Sequence, residues 1–180
     1  MSAPQAAPLP DGTWRLDPDE TTVTVAVKKL GFLNVSATLD LIDGVVDVVD
    51  GAVRSAEARV DAASYSSPNA KRNAHVVAPD FLDAADHPDI SLHASRVEPA
   101  AGGHTVDGQL TVKGSSFPIR LAVDEVAIAE ASATFRATAH VDRKAIGVDK
   151  LPTFVIGRVL DLTVDAQAQL VGTEDEGGAE

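Results

Sequence analysis

The feature that most constrains this chain is a strict alternation of apolar and polar residues near its carboxyl end. From position 160 to position 170 every even residue is apolar and every odd residue is polar. A period of two places successive side chains on opposite faces of a β-strand, so the pattern predicts a strand with one buried face and one wet face. An amphipathic helix needs apolar residues every three or four positions, which this segment does not have.

The same period of two returns along most of the chain. Alternating segments occupy 22–27, 35–41, 56–62, 90–94, 106–112, 117–123 and 133–141. Glycines such as Gly44, Gly51 and Gly114 separate several of them. The spacing is too short for the crossovers of a dozen or more residues that parallel strands require. The sequence therefore predicts an all-β domain of seven to nine antiparallel strands.

Two segments lack this alternation. Residues 67–79 have a proline-led start and few β-branched residues, which predicts one short helix ended by Pro79 and lying across the side or mouth of the sheet. Residues 142–154 link the last two long strands and contain Gly147 and Pro152, so we interpret them as an irregular connection and a candidate lid.

Length and end composition predict the domain organisation. A chain of 180 residues has the size of one domain. We assign residues 12–171 to the β-domain, residues 1–11 to a proline-rich flexible arm and residues 172–180 to a disordered acidic tail. The first ten residues lack the basic and apolar pattern of a secretory signal, so we expect a cytoplasmic location.

Composition excludes several classes of protein. The formal net charge of −12 and the absence of Lys/Arg runs argue against a nucleic-acid partner. No apolar stretch reaches eighteen residues, so we expect no stable membrane insertion. The chain has no cysteine, which removes disulfides and thiolate chemistry. Nucleophile elbows, phosphate loops and calcium loops are missing as well, so we predict neither catalytic residues nor a metal.

Alternating antiparallel strands fit either a sandwich or a closed barrel. The predicted inward positions are mostly alanine and valine, and only 4% of the chain is aromatic. A closed barrel of about eight strands built from such residues is underfilled, and its lumen would hold a ligand. A tighter sandwich that absorbs an alanine-rich composition explains the same residues, and composition leaves both open.

Several motifs together resemble one known family. They are Trp14-Arg-Leu-Asp-Pro18, Lys71-Arg-Asn-Ala-His75 with Asp80-Phe-Leu-Asp83 and His87-Pro-Asp-Ile-Ser-Leu92, Gly108-Gln-Leu-Thr-Val-Lys-Gly114, and Asp142-Arg143 with Gly147-Val148. Their order and spacing resemble the YceI-like family of polyisoprenoid-binding, lipocalin-like proteins over about Gly12 to Val171. The resemblance implies an elongated antiparallel barrel with one helix, a long apolar lumen and a bound isoprenoid chain. Family members are often dimeric, so a homodimer is compatible with it.

This chain departs from the family pattern within the helix motif. Asn73 stands where the family usually has aspartate, and Val76 where it has leucine. The missing carboxylate puts any family salt bridge at position 73 in doubt and leaves the barrel untouched.

The predicted site is a set of residues that bind the apolar ligand. It combines inward strand positions, apolar residues near the openings and three polar residues: Val25, Val35, Ala37, Leu39, Ala58, Val60, Leu110, Phe117, Leu121, Phe135, Ala137, Leu162 and Val164; Phe81, Ile146 and Phe154; Asn73, His75 and Arg143. We expect no cofactor besides the bound isoprenoid lipid. His93, His104 and His140 are predicted to face water, which argues against a metal site.

Three functions fit this prediction. The first is a protein that carries or sequesters an isoprenoid-type lipid such as a quinone or a prenyl phosphate, in transport or in a stress response. The second is an enzyme acting on a hydrophobic substrate, with His75, Arg72 or Arg143 as its polar group. The third is a structural or dimerisation module whose barrel is filled by its own side chains.

Overall fold

Over the residues that the structure describes, the fold is an antiparallel sheet of nine strands with one short α-helix. The computed structural model describes residues 10–29, 33–79, 81–100, 103–142 and 159–172. In chain order the elements are β1 (Gly12–Leu16), a 3₁₀ turn (Pro18–Glu20), β2 (Thr22–Lys29), β3 (Leu33–Val49), β4 (Ala52–Ser66), α1 (Ala70–Val76), β5 (Asp89–Ala100), β6 (Gly103–Val112), β7 (Ser115–Ala129), β8 (Ser132–Asp142) and β9 (Val159–Gly172). Within these residues, no helix is both long and apolar enough to cross a bilayer.

The sheet closes on itself as an eight-strand barrel, which confirms the predicted fold class. Strands β2 to β9 form a ring in the order β3-β2-β9-β8-β7-β6-β5-β4, and β4 returns to β3. The ninth strand, β1, pairs with the same two neighbours as β2 but further along them. Strands β1 and β2 therefore share one position in the wall. Closure leaves the wall without a free lateral edge along most of its length, as a barrel requires.

The break between β1 and β2 is built from local turn chemistry. Pro18 cannot donate a ladder hydrogen bond, and the Asp17 carboxylate accepts one from the backbone N–H of Asp19 instead. Thr21 ends the turn, is buried, and accepts a hydrogen bond from the Gln167 backbone N–H on β9. The buried Thr21 hydroxyl is thus paired where the wall is interrupted.

The alternation predicted from sequence sets the two faces of the wall. On β9, Ala166 and Ala168 are buried inside the barrel. On the outer face, the Asp165 carboxylate accepts a hydrogen bond from Arg136 Nε of β8 at 2.6 Å, and these residues are direct cross-strand partners. The register is thus fixed from both sides, by apolar burial within and by charge pairing outside.

One end of the barrel is plugged by a small apolar cluster. Trp14 is only 1% exposed and packs with Val48, Ala133 and Ala168. Its indole N–H donates a hydrogen bond to the Pro10 carbonyl at 2.9 Å. The turns β3–β4 and β7–β8 lie at this end, which we call the Trp14 end.

Helix α1 lies at the opposite end, which we call the α1 end. The prediction of a short helix between 67 and 79 is confirmed, although the helix covers only Ala70–Val76. Asn69 caps it by accepting a hydrogen bond from the Arg72 backbone N–H at 3.0 Å. Asp142, the first residue of the predicted lid, is instead the last residue of β8 and pairs with Val159 at this same end. The lid residues 143–154 lie outside the described residues.

The wall has a short seam between β4 and β5. Only five residue pairs join them, from Glu57↔His93 to Asp61↔Asp89. Beyond these pairs, β4 pairs only with β3 and β5 only with β6. Arg59 reinforces the seam because its guanidinium bonds Asp43 on β3 and Asp89 on β5 from the strand between them.

Candidate functional site

The lumen of the barrel is an open apolar cavity of about 640 Å³. Its walls carry mostly valine, leucine, isoleucine and alanine from all nine strands. Along β8 the lining runs from Ala133 to Val141, and eight steps of about 3.4 Å at a strand tilt of about 40° give a tunnel roughly 20 Å long. Because the inward residues are small, the barrel does not fill itself. The alternative of a solid, purely structural barrel therefore loses its support.

Most of the predicted ligand-binding residues lie on this lining. They are Val25, Val35, Leu39, Ala58, Val60, His75, Phe81, Leu110, Leu121, Phe135, Ala137, Leu162 and Val164. Arg143, Ile146 and Phe154 fall outside the described residues. The strands bring the lining residues together because each contributes every second side chain to one enclosed space.

Three predicted residues have other surroundings. Ala37 is buried in the wall without lining the cavity. Phe117 packs against the apolar cluster that contains Leu121. The Asn73 side-chain amide is hydrogen-bonded to Ser67. Its oxygen accepts a hydrogen bond from the Ser67 backbone N–H at 2.8 Å, and its nitrogen donates one to the Ser67 carbonyl at 3.1 Å. Asn73 thus holds the junction between β4 and α1.

The sequence prediction also missed parts of the lining. Ile90, Leu92 and Val106 line the cavity and belong to alternating segments, so the pattern itself was sufficient to find them. Val97 and Val126 line it too, but each follows an irregular register, between Ala94 and Arg96 or between Asp124 and Ala127. A bulge places two residues opposite one and changes the phase of the strand, which periodicity does not reveal.

His104 corrects one prediction about the histidines. It lines the cavity on β6, on the same face as Val106 and Leu110, whereas the sequence placed it toward water. His93 and His140 do face solvent, where they pair with Glu57 at 2.8 Å and Asp161 at 2.6 Å. In the described part of the chain, no three His, Asp or Glu residues are grouped as a metal site would need.

Polar side chains of the lining concentrate at the α1 end. Tyr65, near the end of β4, and Lys71, Arg72 and His75 of α1 border the cavity there. Burial raises the pKa of the Tyr65 phenol, and the nearby Arg72 charge partly opposes this. The His75 imidazole meets the Phe81 ring edge to face, with centroids 4.8 Å apart. This contact holds α1 against the segment that leads to β5.

Of the residues named for the enzyme alternative, Arg72 and His75 thus lie at one opening of the cavity. The cavity interior beyond them is apolar, apart from His104 and a few polar positions at the short seam. The arrangement is suited to enclosing a hydrophobic chain and to contacting a polar group at the α1 end.

A closed antiparallel barrel with an apolar lumen, plugged at one end and carrying a helix at the other, defines a lipocalin-like barrel. The family model of the YceI-like domain matches residues 14–168. The chain belongs to the YceI-like family, and the resemblance inferred from its motifs is confirmed.

Individual relatives are more distant. A UPF0312 protein of Vibrio cholerae serotype O1 is 28% identical over 122 residues, which are 66% of this chain and 65% of that protein. The chain thus matches a little under two thirds of that relative's length.

Two solved structures show the same fold. Burkholderia cenocepacia BcnA superposes with a TM-score of 0.75 at 22% identity and covers 84% of this chain and 98% of its own. A polyisoprenoid binding domain from Saccharophagus degradans, implicated in plant cell wall breakdown, superposes with a TM-score of 0.66 at 12% identity. The match covers 87% of this chain and 98% of that domain.

Proposed function

We propose that this protein binds a long apolar chain of the isoprenoid type in its lumen and carries or sequesters it. The observation that carries the proposal is the cavity of about 640 Å³, lined almost throughout by small aliphatic side chains. Ligand cavities in proteins are typically a few hundred to about a thousand cubic ångströms and mostly apolar. The role we propose is binding, with no chemical step.

The energetics of burial support this ligand class. Each methylene that leaves water for an apolar lumen contributes about 0.8 kcal/mol, so a chain of many carbons binds tightly without any polar contact. The Trp14 cluster plugs one end, and the polar side chains border the other. The apolar tail therefore lies toward Trp14 and the polar end of the ligand toward α1.

Family membership supports the isoprenoid type in particular. The Saccharophagus degradans domain that shares the fold is described as binding polyisoprenoids. Branched isoprenoid chains are bulkier than straight acyl chains, and the alanine positions on β8 leave width for methyl branches along the tunnel. A cytoplasmic location and a homodimer stay predictions from the sequence.

The test is to fill the lumen and measure binding. Ala137 lies on the cavity wall of β8 and is 6% exposed, whereas Ala122 points outward from the neighbouring strand β7. We expect Ala137→Trp to abolish binding of a polyprenol, measured by displacement of an environment-sensitive fluorophore. Ala122→Trp is the matched control and should bind like the wild type.

Two results would contradict the proposal. A wild-type protein that binds no polyprenol or other long apolar chain excludes the function. Equal binding by the wild type and a folded Ala137→Trp variant places the ligand outside the lumen. Circular dichroism and the denaturation midpoint establish that each variant is folded.

A further inference from the structure

The wall separates between β4 and β5 on the Trp14 side of their short seam. The last pair that joins the two strands there is Glu57↔His93. Beyond it, over the residues that the structure describes, 52–56 pair only with β3 and 94–100 only with β6. We call this gap, bordered by 52–56 and 94–100, the β4–β5 split.

Both strands carry a bulge where they part. On β4, Arg54 is one residue extra opposite β3, and on β5, Ser95 is one residue extra opposite β6. The Ser95 hydroxyl donates a hydrogen bond to the Asp107 carbonyl at 3.0 Å, which holds the second bulge. A bulge bends and twists the strand that carries it and is a common way to end a pairing. The split is therefore encoded in both strands.

The two edges of the split carry residues that disfavour further pairing. Arg54 on β4 is exposed, as are Arg96 and Glu98 on β5, where they pair with each other. Pro99 on β5 has no backbone N–H to donate. Exposed charges, proline and bulges are the features by which natural edge strands avoid pairing with another chain. The split is thus suited to staying open and is unsuited to receiving a further strand.

The cavity reaches the outer face of the wall at the split. Ala56 and Ala58 line the lumen, yet Glu57 between them also borders the cavity. The Glu57 carboxylate lies on the outer face, where it pairs with His93 at 2.8 Å. Because neighbouring residues of a strand point to opposite faces, a cavity that borders all three passes around the edge of β4. The lumen is therefore continuous with the outer surface between β4 and β5.

The rim of the split suits a hydrocarbon chain. Val53 and Ala56 border the cavity on β4, and Ala94 and Val97 border it on β5. Val53 also packs against the cluster around Trp14, so the split lies beside the plug. A chain that runs along the lumen from the α1 end meets the plug ahead of it and the apolar split to its side.

We propose that the β4–β5 split is a lateral opening of the lumen, through which the tail of a long isoprenoid chain leaves the barrel. The proposal rests on the proposed function, since the chain must first occupy the lumen. It extends the ligand class to chains longer than the tunnel, which is roughly 20 Å long. Farnesol, with three isoprene units, is short enough to lie inside the tunnel, whereas solanesol, with nine, is not.

A cysteine footprint tests the opening directly, because the natural chain has no cysteine. V97C places a thiol on the rim, A122C places one on the outer face of β7, and A137C places one inside the lumen. In the ligand-free protein, we expect a charged thiol reagent to label V97C and A122C about tenfold faster than A137C, since reaction requires exposure. Solanesol should slow the labelling of V97C about fivefold or more, and farnesol should change it by less than about twofold.

A removable staple tests whether the chain passes through the split. Ser55 and Ser95 lie on its two edges and outside the cavity lining, and serine to cysteine is a small change. In S55C/S95C a short bis-methanethiosulfonate reagent joins the two thiols, and a reductant releases them. We expect the joined form to bind solanesol about tenfold more weakly than the released form, because the tail loses its exit, and farnesol within about twofold.

The matched control staples two strands that already pair. Ala26 and Ser36 are direct cross-strand partners on β2 and β3 and lie outside the cavity lining. A26C/S36C, joined by the same reagent, should therefore bind farnesol and solanesol as its released form does.

The results that overturn this proposal leave the proposed function standing. Labelling of V97C as slow as that of A137C shows that the split is closed, and equal protection by farnesol and solanesol excludes the tail from it. Equal binding of solanesol by joined and released S55C/S95C excludes passage through the split. The footprint keeps the test decisive if the staple does not form. A wild-type protein that binds neither alcohol excludes the proposed function itself.

Discussion

Asn73 and Ser67 are joined by three hydrogen bonds at the point where the chain leaves β4 for α1. The Asn73 amide oxygen accepts from the Ser67 backbone N–H at 2.8 Å and from its hydroxyl at 2.7 Å, and the amide nitrogen donates to the Ser67 carbonyl at 3.1 Å. Only a side chain that both accepts and donates can make this set. The orientation of α1 over the lumen therefore depends on an amide at position 73.

Replacing this amide should destabilise the protein in a graded way. Asn73→Ala removes all three bonds and is expected to lower the free energy of unfolding by about 1–3 kcal/mol. Asn73→Asp keeps the acceptors but loses the donor to Ser67, so we expect a smaller loss. Urea unfolding followed by circular dichroism measures both, with Ala74→Ser at an exposed helix position as the control. Equal stability of Asn73→Ala and wild type would show that the junction does not need the amide.

Trp14 should be among the most costly residues to truncate. It is 1% exposed and plugs one end of the barrel, so Trp14→Ala leaves a cavity and removes the hydrogen bond to Pro10. We expect a loss of about 3–5 kcal/mol in the free energy of unfolding, as for other buried aromatic truncations. Val171→Ala is the control because Val171 is 51% exposed, and it should change little. A Trp14→Ala loss no larger than that of the control would contradict the role of the plug.

The clamp made by Arg59 should show a defined pH dependence. Hydrogen bonding from Arg59 lowers the pKa of Asp43 below its ordinary value of 3.8. A folded-state pKa below the unfolded one gives stability that is present above about pH 4 and is lost as pH falls through the folded value. The stability difference between wild type and Arg59→Gln should therefore be modest and constant near neutrality, since the pair is exposed, and should shrink in acid. Denaturation midpoints between pH 7 and pH 2 measure it, and a difference that grows in acid would contradict the assignment.

Hydrogen exchange should reveal the short seam between β4 and β5. Residues 52–56 of β4 pair on one side only, whereas β8 pairs with both β7 and β9 between Ser132 and Thr138. Backbone amide hydrogens in a strand that is paired on one side only exchange faster with solvent, because a smaller local unfolding event exposes them. We expect faster deuterium uptake in peptides from 52–56 and 95–100 than in peptides from 133–138. Equal protection in all three would mean that the seam is closed in solution.

The faces of the strands were predictable from sequence because side-chain direction along a strand is a local property. Alternation in 160–170 placed Leu162 and Val164 in the lumen, and the small residues around Ala137 predicted that the lumen would be open. Composition alone did not decide between a sandwich and a barrel. That choice depends on β4 pairing with β3, a contact between strands that no local pattern contains.

The rest of the site depends on tertiary structure. His104 precedes the alternating segment 106–112, from which the sequence predicts it to face water, but β6 already begins at Gly103 and places the imidazole on the inward face. Val97 and Val126 reach the lumen only because bulges shift their strands. Asn73 belongs to the helix motif, yet its hydrogen-bonding groups are used by Ser67, a pairing that spacing along the chain does not reveal.

Native mass spectrometry of the wild-type protein mixed with a polyprenol measures the central claim most directly. The account predicts a complex heavier than the protein by the mass of one polyprenol, formed equally by Ala122→Trp and missing in Ala137→Trp. A folded wild-type protein that keeps only its own mass at saturating polyprenol, after extraction of any lipid it carries, would contradict the account.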